Sequence, residues 1–315
     1  MNRNFMGMLR ARWNEGRFVS FRINCDREFS KIPEIARLPS RTVGAVILLN
    51  QTIVEVTKDL VCAYNLPFAS YAAGGAKGLE ILRATILDIH LLAPKVPVIL
   101  DAKFGGTDAD NAQCVQMAFD HLQADAVTVY PYLGAKELGP FLNCGGKGIF
   151  VFCCTGNPNA GGVQDMSVAV SFDEMKYLHR TAGLPLSCES GESRTTLYRH
   201  VAYRVKSQLN QNGNCALIVG ASRLNELESI RKIVGDVPIF IPDINAQSDD
   251  VEQIVSVGKD IHGQGIVIDA PQSVTLDSNG ENFAEAVRHK TQEFAARIYI
   301  AAMKSRISSG QASPL

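Results

Sequence analysis

Eight short apolar runs alternating with stretches of helical period predict an α/β fold whose parallel sheet closes into a single-domain (β/α)8 TIM barrel. The runs cover residues 18–23, 60–64, 96–100, 126–129, 148–153, 216–219, 237–241 and 265–268. Seven of them are followed by a helical stretch or by a loop long enough for one, as the crossovers of a parallel sheet require. The rival open sheet would carry a glycine-rich dinucleotide fingerprint after its first strand. Arg22-Ile23-Asn24-Cys25-Asp26 is not one.

Each element has a local reason. The third run, Val96-Pro97-Val98-Ile99-Leu100, is apolar and Pro-bounded, the signature of a strand buried on both faces. Residues 78–92 place Leu79, Ile81, Leu82, Ile86, Leu87 and Ile89 on one broad helical face. Residues 196–209, 224–234 and 283–303 repeat that period. Two insertions interrupt the alternation, at 26–47 and at 157–195. One domain is expected over residues 1–307, with 308–315 as a frayed tail.

Composition narrows the function classes. The 31 basic and 32 acidic residues nearly cancel, so no nucleic-acid footprint and no membrane-surface patch follows. Ala45-Val46-Ile47-Leu48-Leu49 is among the longest apolar runs, far short of a membrane span. The N-terminal apolar stretch between Arg3 and Arg10 is too short for a signal-peptide core. Eight cysteines form no Cys-x-x-Cys pair, which argues against a zinc site and for a reducing, cytoplasmic setting.

Chemistry in a barrel sits where the strands end. The first strand ends in Asn24 and Asp26, the second in Asn65, and the third in Asp101 and Lys103. The fourth ends in Tyr130-Pro131-Tyr132, the fifth in Cys154-Thr155-Gly156 and the sixth in Ser222-Arg223. The seventh delivers Pro242-Asp243-Ile244-Asn245-Ala246-Gln247, and the eighth Asp269-Ala270-Pro271-Gln272. Only the third supplies an acid–base pair. Such a pair either closes a strand end as a structural ion pair or keeps a lysine protonated for delivery to a carbanion. Schiff-base chemistry would need a lysine of lowered pKa, and Asp101 pushes the other way. Asp243, Asp249, Asp250 and Asp269 read as solvated acids, with an oxygen-ligand cation site as the alternative. Tyr130 and Tyr132 read as core packing with hydroxyls at the rim. Cys154 lacks a neighbouring histidine to activate it as a nucleophile.

Five blocks, at 96–103, 124–134 (ADAVTVYPYLG), 148–165 (GIFVFCCTGNPNAGGVQD), 214–220 and 241–251, resemble orotidine 5′-phosphate decarboxylase, in its longer form, in order and spacing. The resemblance runs from about residue 5 to residue 307. It implies a homodimeric TIM barrel that decarboxylates a nucleotide, orotidine monophosphate, without metal or cofactor. It further implies that Lys103 protonates C6 of the pyrimidine while Asp101 lies near the departing carboxylate. Thr155 and Gln247 match positions that touch pyrimidine and phosphate, and Pro242 fits the loop over them.

Several positions depart from the family pattern. A second aspartate, due three residues after Lys103 and reaching the partner subunit's site, is Gly106 here; Asp108 replaces it if Gly106-Thr107 is an insertion. The ribose-holding aspartate of the first strand is Asn24, and the second-strand lysine is Asn65. The phosphate arginine aligns with Gln272, and acids stand at 243 and 269 where the family is neutral. Two functions fit: a decarboxylase working through Lys103 and Asp101, or a silent barrel of the same family serving as a binding or scaffold protein. A barrel of the same family acting on a different carboxylated substrate is a third reading.

Overall fold

A computed structural model describes residues 3–24, 43–186, 192–242, 244, 250–275 and 282–308; of 272, 275 and 305–308 it describes only the backbone. Its strands are β1 (Val19–Arg22), β2 (Ala63–Pro67), β3 (Val98–Phe104), β4 (Ala126–Val129) and β5 (Gly148–Cys154). They continue as β6 (Ser167–Ala169), β7 (Arg194–Thr196), β8 (Cys215–Val219), β9 (Ile239–Ile241) and β10 (Ile266–Asp269). Eight of them close in the order β1-β10-β9-β8-β5-β4-β3-β2, every neighbouring pair parallel. The expected (β/α)8 barrel is what forms.

Alternation along the strands sorts the side chains between barrel and helix layer. The Tyr64 hydroxyl reaches Thr57 and the Val54 carbonyl on the surrounding helix Val43–Thr57, so its neighbours Ala63 and Asn65 face the barrel. Phe150 projects inward and meets Phe240 edge-on at 5.8 Å. Below it, Phe5 from the helix Phe5–Asn14 packs edge-on at 5.5 Å. A Cβ at Gly148 would meet the Phe5 ring at 2.3 Å, so glycine at the start of β5 is what lets that helix seal the N-terminal mouth. Trp13 adds a hydrogen bond to the Ile266 carbonyl at 2.8 Å. With the bottom sealed by apolar side chains, polar inward groups collect at the C-terminal mouth.

Several boundaries differ from expectation, and three of the differences have a hydrogen-bonding reason. β2 starts at Ala63 rather than residue 60, because the Leu60 N–H turns back to Thr57 and closes the preceding helix. β3 does not end before Asp101 but carries Asp101-Ala102-Lys103 within it. There the Lys103 N–H donates to the Thr128 hydroxyl, the register on β4 shifts, and pairing resumes at Phe104. The stretch expected as one helix over 196–209 is Leu197–Arg204 followed by wider π turns at Val205–Leu209. Within the insertion after β5, β6 and β7 form an antiparallel hairpin around the helix Phe172–Ala182. The last residues of the other insertion belong to the helix Val43–Thr57. Residue 308 ends the helix Phe283–Ser308, and the rest of the expected tail lies outside the described residues. Among the described residues no helix is long and apolar enough to cross a membrane.

Candidate active site

The Lys103 ammonium stands 2.6 Å from Asp101 Oδ2 at the C-terminal mouth. Asp101 is buried, 8% exposed, whereas the lysine side chain is 46% exposed. Its carboxylate is therefore removed from water while its partner keeps contact with the solvent. Thr128, on β4, ties the pair together: its hydroxyl donates to Asp101 Oδ1 and accepts from the Lys103 N–H, each at 2.9 Å. Lys103 has φ +57°, a left-handed conformation that costs a non-glycine residue on the order of 1–2 kcal/mol. That strain turns the ammonium back toward Asp101 just where β3 bulges away from β4. Phe152, stacked on Tyr130 at 4.4 Å, lies 5.9 Å below the ammonium and forms an apolar wall. The other side of that wall borders a cleft of about 700 Å³ that also touches Thr155, Gln164, His200 and Arg204.

A second charge pair faces the same mouth. Arg22, at the end of β1, clasps Asp269 of β10 with Nε at 2.9 Å and Nη2 at 2.7 Å. Asn65 of β2 donates to the same carboxylate at 3.3–3.4 Å. Barrel closure makes this contact, since β1 lies between β10 and β2. Burial pushes the Asp269 carboxyl above its ordinary value, against the pull of Arg22 and Asn65. Asp269 is thus neither a solvated acid nor an uncompensated charge facing a ligand. It is 3% exposed and already paired.

The other sequence-derived positions separate into three groups. Asn65 joins the mouth cluster, and among the described residues its Oδ1 is buried without a hydrogen-bond partner, as is Asn24 Oδ1 just past β1. Thr155 and Pro242 follow β5 and β9 at the same mouth. Thr155 is held by Gln164, which accepts from its N–H and donates to its hydroxyl, while the Pro242 carbonyl accepts from the Ala221 N–H. Glycine at 220 permits this, because a Cβ there would meet the Gly156 nitrogen at 2.3 Å. Asp108 instead opens the helix Asp108–Val115, exposed, its N–H bonded to Glu137. Among the described residues no ion pair or hydrogen bond joins Asp108 to Lys103 or Asp101. Asn111 is buried and staples the Gly106 turn through both ends of its amide. Gln247, Asp243 and Asp249 lie outside the described residues, as does the Gln272 side chain at the start of the helix Gln272–Thr275.

One expectation needs correcting, and one exclusion gains a physical reason. Tyr132 is 86% exposed and not core, because it sits in the turn that the Gly134 N–H to Pro131 carbonyl bond closes after β4; Tyr130 is 44% exposed despite its stacking on Phe152. Cys154 is no nucleophile: burial pushes its thiol up to about 12, leaving almost no thiolate near neutrality. Thr128 and Arg22 were not marked by the sequence as site residues. Thr128 carries a signal all the same, a lone hydroxyl at an inward position of the run Ala126-Val127-Thr128-Val129. Arg22 is legible only once β1 is known to pair with β10.

Known proteins resemble the chain over most of its length. The orotidine 5′-phosphate decarboxylase of Cellvibrio japonicus is 34% identical over 279 residues, covering 89% of this chain and 92% of that protein. The enzyme of the same name from Cupriavidus metallidurans is 36% identical over 261 residues, 82% and 86% of the two chains. Among solved structures, the OMP decarboxylase of Leishmania donovani superposes with a TM-score of 0.72 at 22% identity, covering 95% of this chain and 98% of that one. The orotidine 5′-monophosphate decarboxylase of Methanocaldococcus jannaschii gives 0.57 at 15% identity, covering 90% and 98%. No protein-family model matches the chain.

Proposed function

The chain belongs to the orotidine 5′-phosphate decarboxylase family, and on that premise we propose that it converts orotidine monophosphate to uridine monophosphate in pyrimidine biosynthesis. The observation that carries this reading onto the site is the Asp101–Lys103 contact of 2.6 Å at the mouth of the barrel. The bond from C6 to the carboxylate breaks, carbon dioxide leaves, and the electron pair stays on C6. The Lys103 ammonium then gives that carbon a proton and is recharged from solvent, to which its side chain is open. Asp101 holds the ammonium in position before the reaction and crowds the substrate carboxylate with like charge, which is relieved as neutral carbon dioxide forms. Phe152 and Tyr130 limit water on one side of the pair, strengthening both interactions. Thr155, Pro242, Gln247, Asn24, Asn65 and Gln272 are assigned to substrate binding.

The same reading makes the protein a cytoplasmic homodimer. Tyr130, Tyr132 and Val163 border one cleft at the mouth and are 44%, 86% and 54% exposed, an apolar surface of the kind a second copy covers. In such a dimer the exposed Asp108 is free to supply the second acid to the neighbouring site. The six described cysteines are all free, in keeping with a reducing compartment. The strained, paired Lys103 favours the enzyme over a silent barrel, since strain of this kind persists where function uses it.

The test is orotidine monophosphate labelled in its carboxylate. The protein is expected to release the label as carbon dioxide and to form an equal amount of uridine monophosphate. Retention of the label at a level matching a protein-free control overturns the assignment.

A further inference from the structure

Past the wall of Phe152 and Tyr130 lies the cleft of about 700 Å³. Its apolar side includes Tyr130, Tyr132, Leu138 and Val163, and its charged side is His200 and Arg204. No aspartate or glutamate is among the described residues that line it, so its charge is one-sided. The volume is that of a site for a small organic molecule.

His200 and Arg204 stand four residues apart on the helix Leu197–Arg204 and therefore share one of its faces. Glu174, 3% exposed, meets His200 Nδ1 at 2.9 and 3.1 Å. That contact fixes the ring and leaves its opposite nitrogen, Nε2, for another partner. The Arg204 guanidinium makes no hydrogen bond or ion pair among the described residues, and its Nε is buried without a partner. A buried donor left unpaired is costly, and folds rarely keep one that neither water nor a ligand satisfies. Two nitrogen groups on one helix face match the two oxygens of a carboxylate, and the facing tyrosines offer their rings to a flat carbon body. We infer that this cleft binds an aromatic carboxylate, its oxygens on Arg204 and His200 and its ring against Tyr130, Tyr132 and Val163. None of these contacts involves Lys103 or Asp101, and all of them come from one chain.

Calorimetric titration with 2-naphthoate, its neutral amide 2-naphthamide and acetate separates the charge of the ligand from its ring. The wild type is expected to bind 2-naphthoate at least tenfold more tightly than either of the other two, a comparison that needs no variant. Arg204→Met is expected to weaken 2-naphthoate by about tenfold to a hundredfold, the range for one charge-assisted contact, and to leave 2-naphthamide unchanged. Arg204 has no described partner to strand, so this variant is expected to keep the melting temperature of the wild type. Lys103→Ala, titrated in parallel, is expected to hold 2-naphthoate as the wild type does. Undiminished 2-naphthoate binding in folded Arg204→Met overturns the inference. So does wild-type protein that binds the amide as tightly as the acid, and so does a tenfold loss in Lys103→Ala, which places the probe at the catalytic mouth. Each of these outcomes leaves the release of carbon dioxide from orotidine monophosphate to its own test.

Discussion

At the scale of single residues, the mouth is organised by two carboxylates in contrasting settings. Asp101 sits against an exposed lysine and a hydroxyl; Asp269 sits under an arginine and an amide. Both are nearly inaccessible, so each depends on its partners for the hydrogen bonds that water would otherwise supply. Thr128 is the shared support of the first pair. Thr128→Val keeps the shape of the side chain but leaves Asp101 Oδ1 and the Lys103 N–H without their bond. Unfolding by urea is expected to show a loss of about 1–3 kcal/mol. Turnover is expected to fall roughly tenfold, since the ammonium loses the backbone anchor that sets its position. The Asp101–Lys103 pair was legible in the sequence because both residues lie on one short strand. The Arg22–Asp269 pair was not, because its members are 247 residues apart and meet only when the barrel closes.

At the scale of elements, the barrel strands announce themselves because burial on both faces demands continuous apolar runs. The β6–β7 hairpin leaves no such trace: its strands are three residues each, and neither Ser167-Val168-Ala169 nor Arg194-Thr195-Thr196 makes a continuous apolar run. The bulge in β3 is equally silent, since it depends on a side-chain hydroxyl replacing a ladder partner. The seal at the other mouth hangs on one carboxylate. Asp125 is fully buried, binds Arg3 through both oxygens at 2.7–2.8 Å and accepts from the Val98 N–H at 2.9 Å. Burial pushes its carboxyl up, but Arg3, the His90 ring and the Val98 N–H outweigh that and hold it at about 2. Its ordinary value is 3.8, so the stabilisation is complete above that pH and is lost as pH falls toward about 2. An acid titration of the melting temperature is expected to show a step in that window worth on the order of 2 kcal/mol, absent from Asp125→Asn. At neutral pH Asp125→Asn is expected to cost about 3 kcal/mol, chiefly by stranding Arg3.

At the scale of the whole molecule, a barrel sealed below and polar above leaves one place for chemistry, and its rim is apolar where the protein meets solvent. A rim with Tyr132 at 86% exposure predicts a dimer. Light scattering is expected to give twice the chain mass of 34.2 kDa, and Tyr132→Lys is expected to shift the population toward monomer. Asp108→Asn is expected to lower turnover in the dimer without changing the melting temperature by more than a degree or two, because its carboxylate is exposed in the single chain. The central claim is that the Lys103 ammonium protonates the carbon left when carbon dioxide departs. The most direct measurement is kcat for orotidine monophosphate in wild type and Lys103→Ala, with folding checked by circular dichroism. A loss of roughly 10²–10⁴-fold in a folded variant is the expected result, the range for a general acid. Equal turnover by the two proteins would contradict the account.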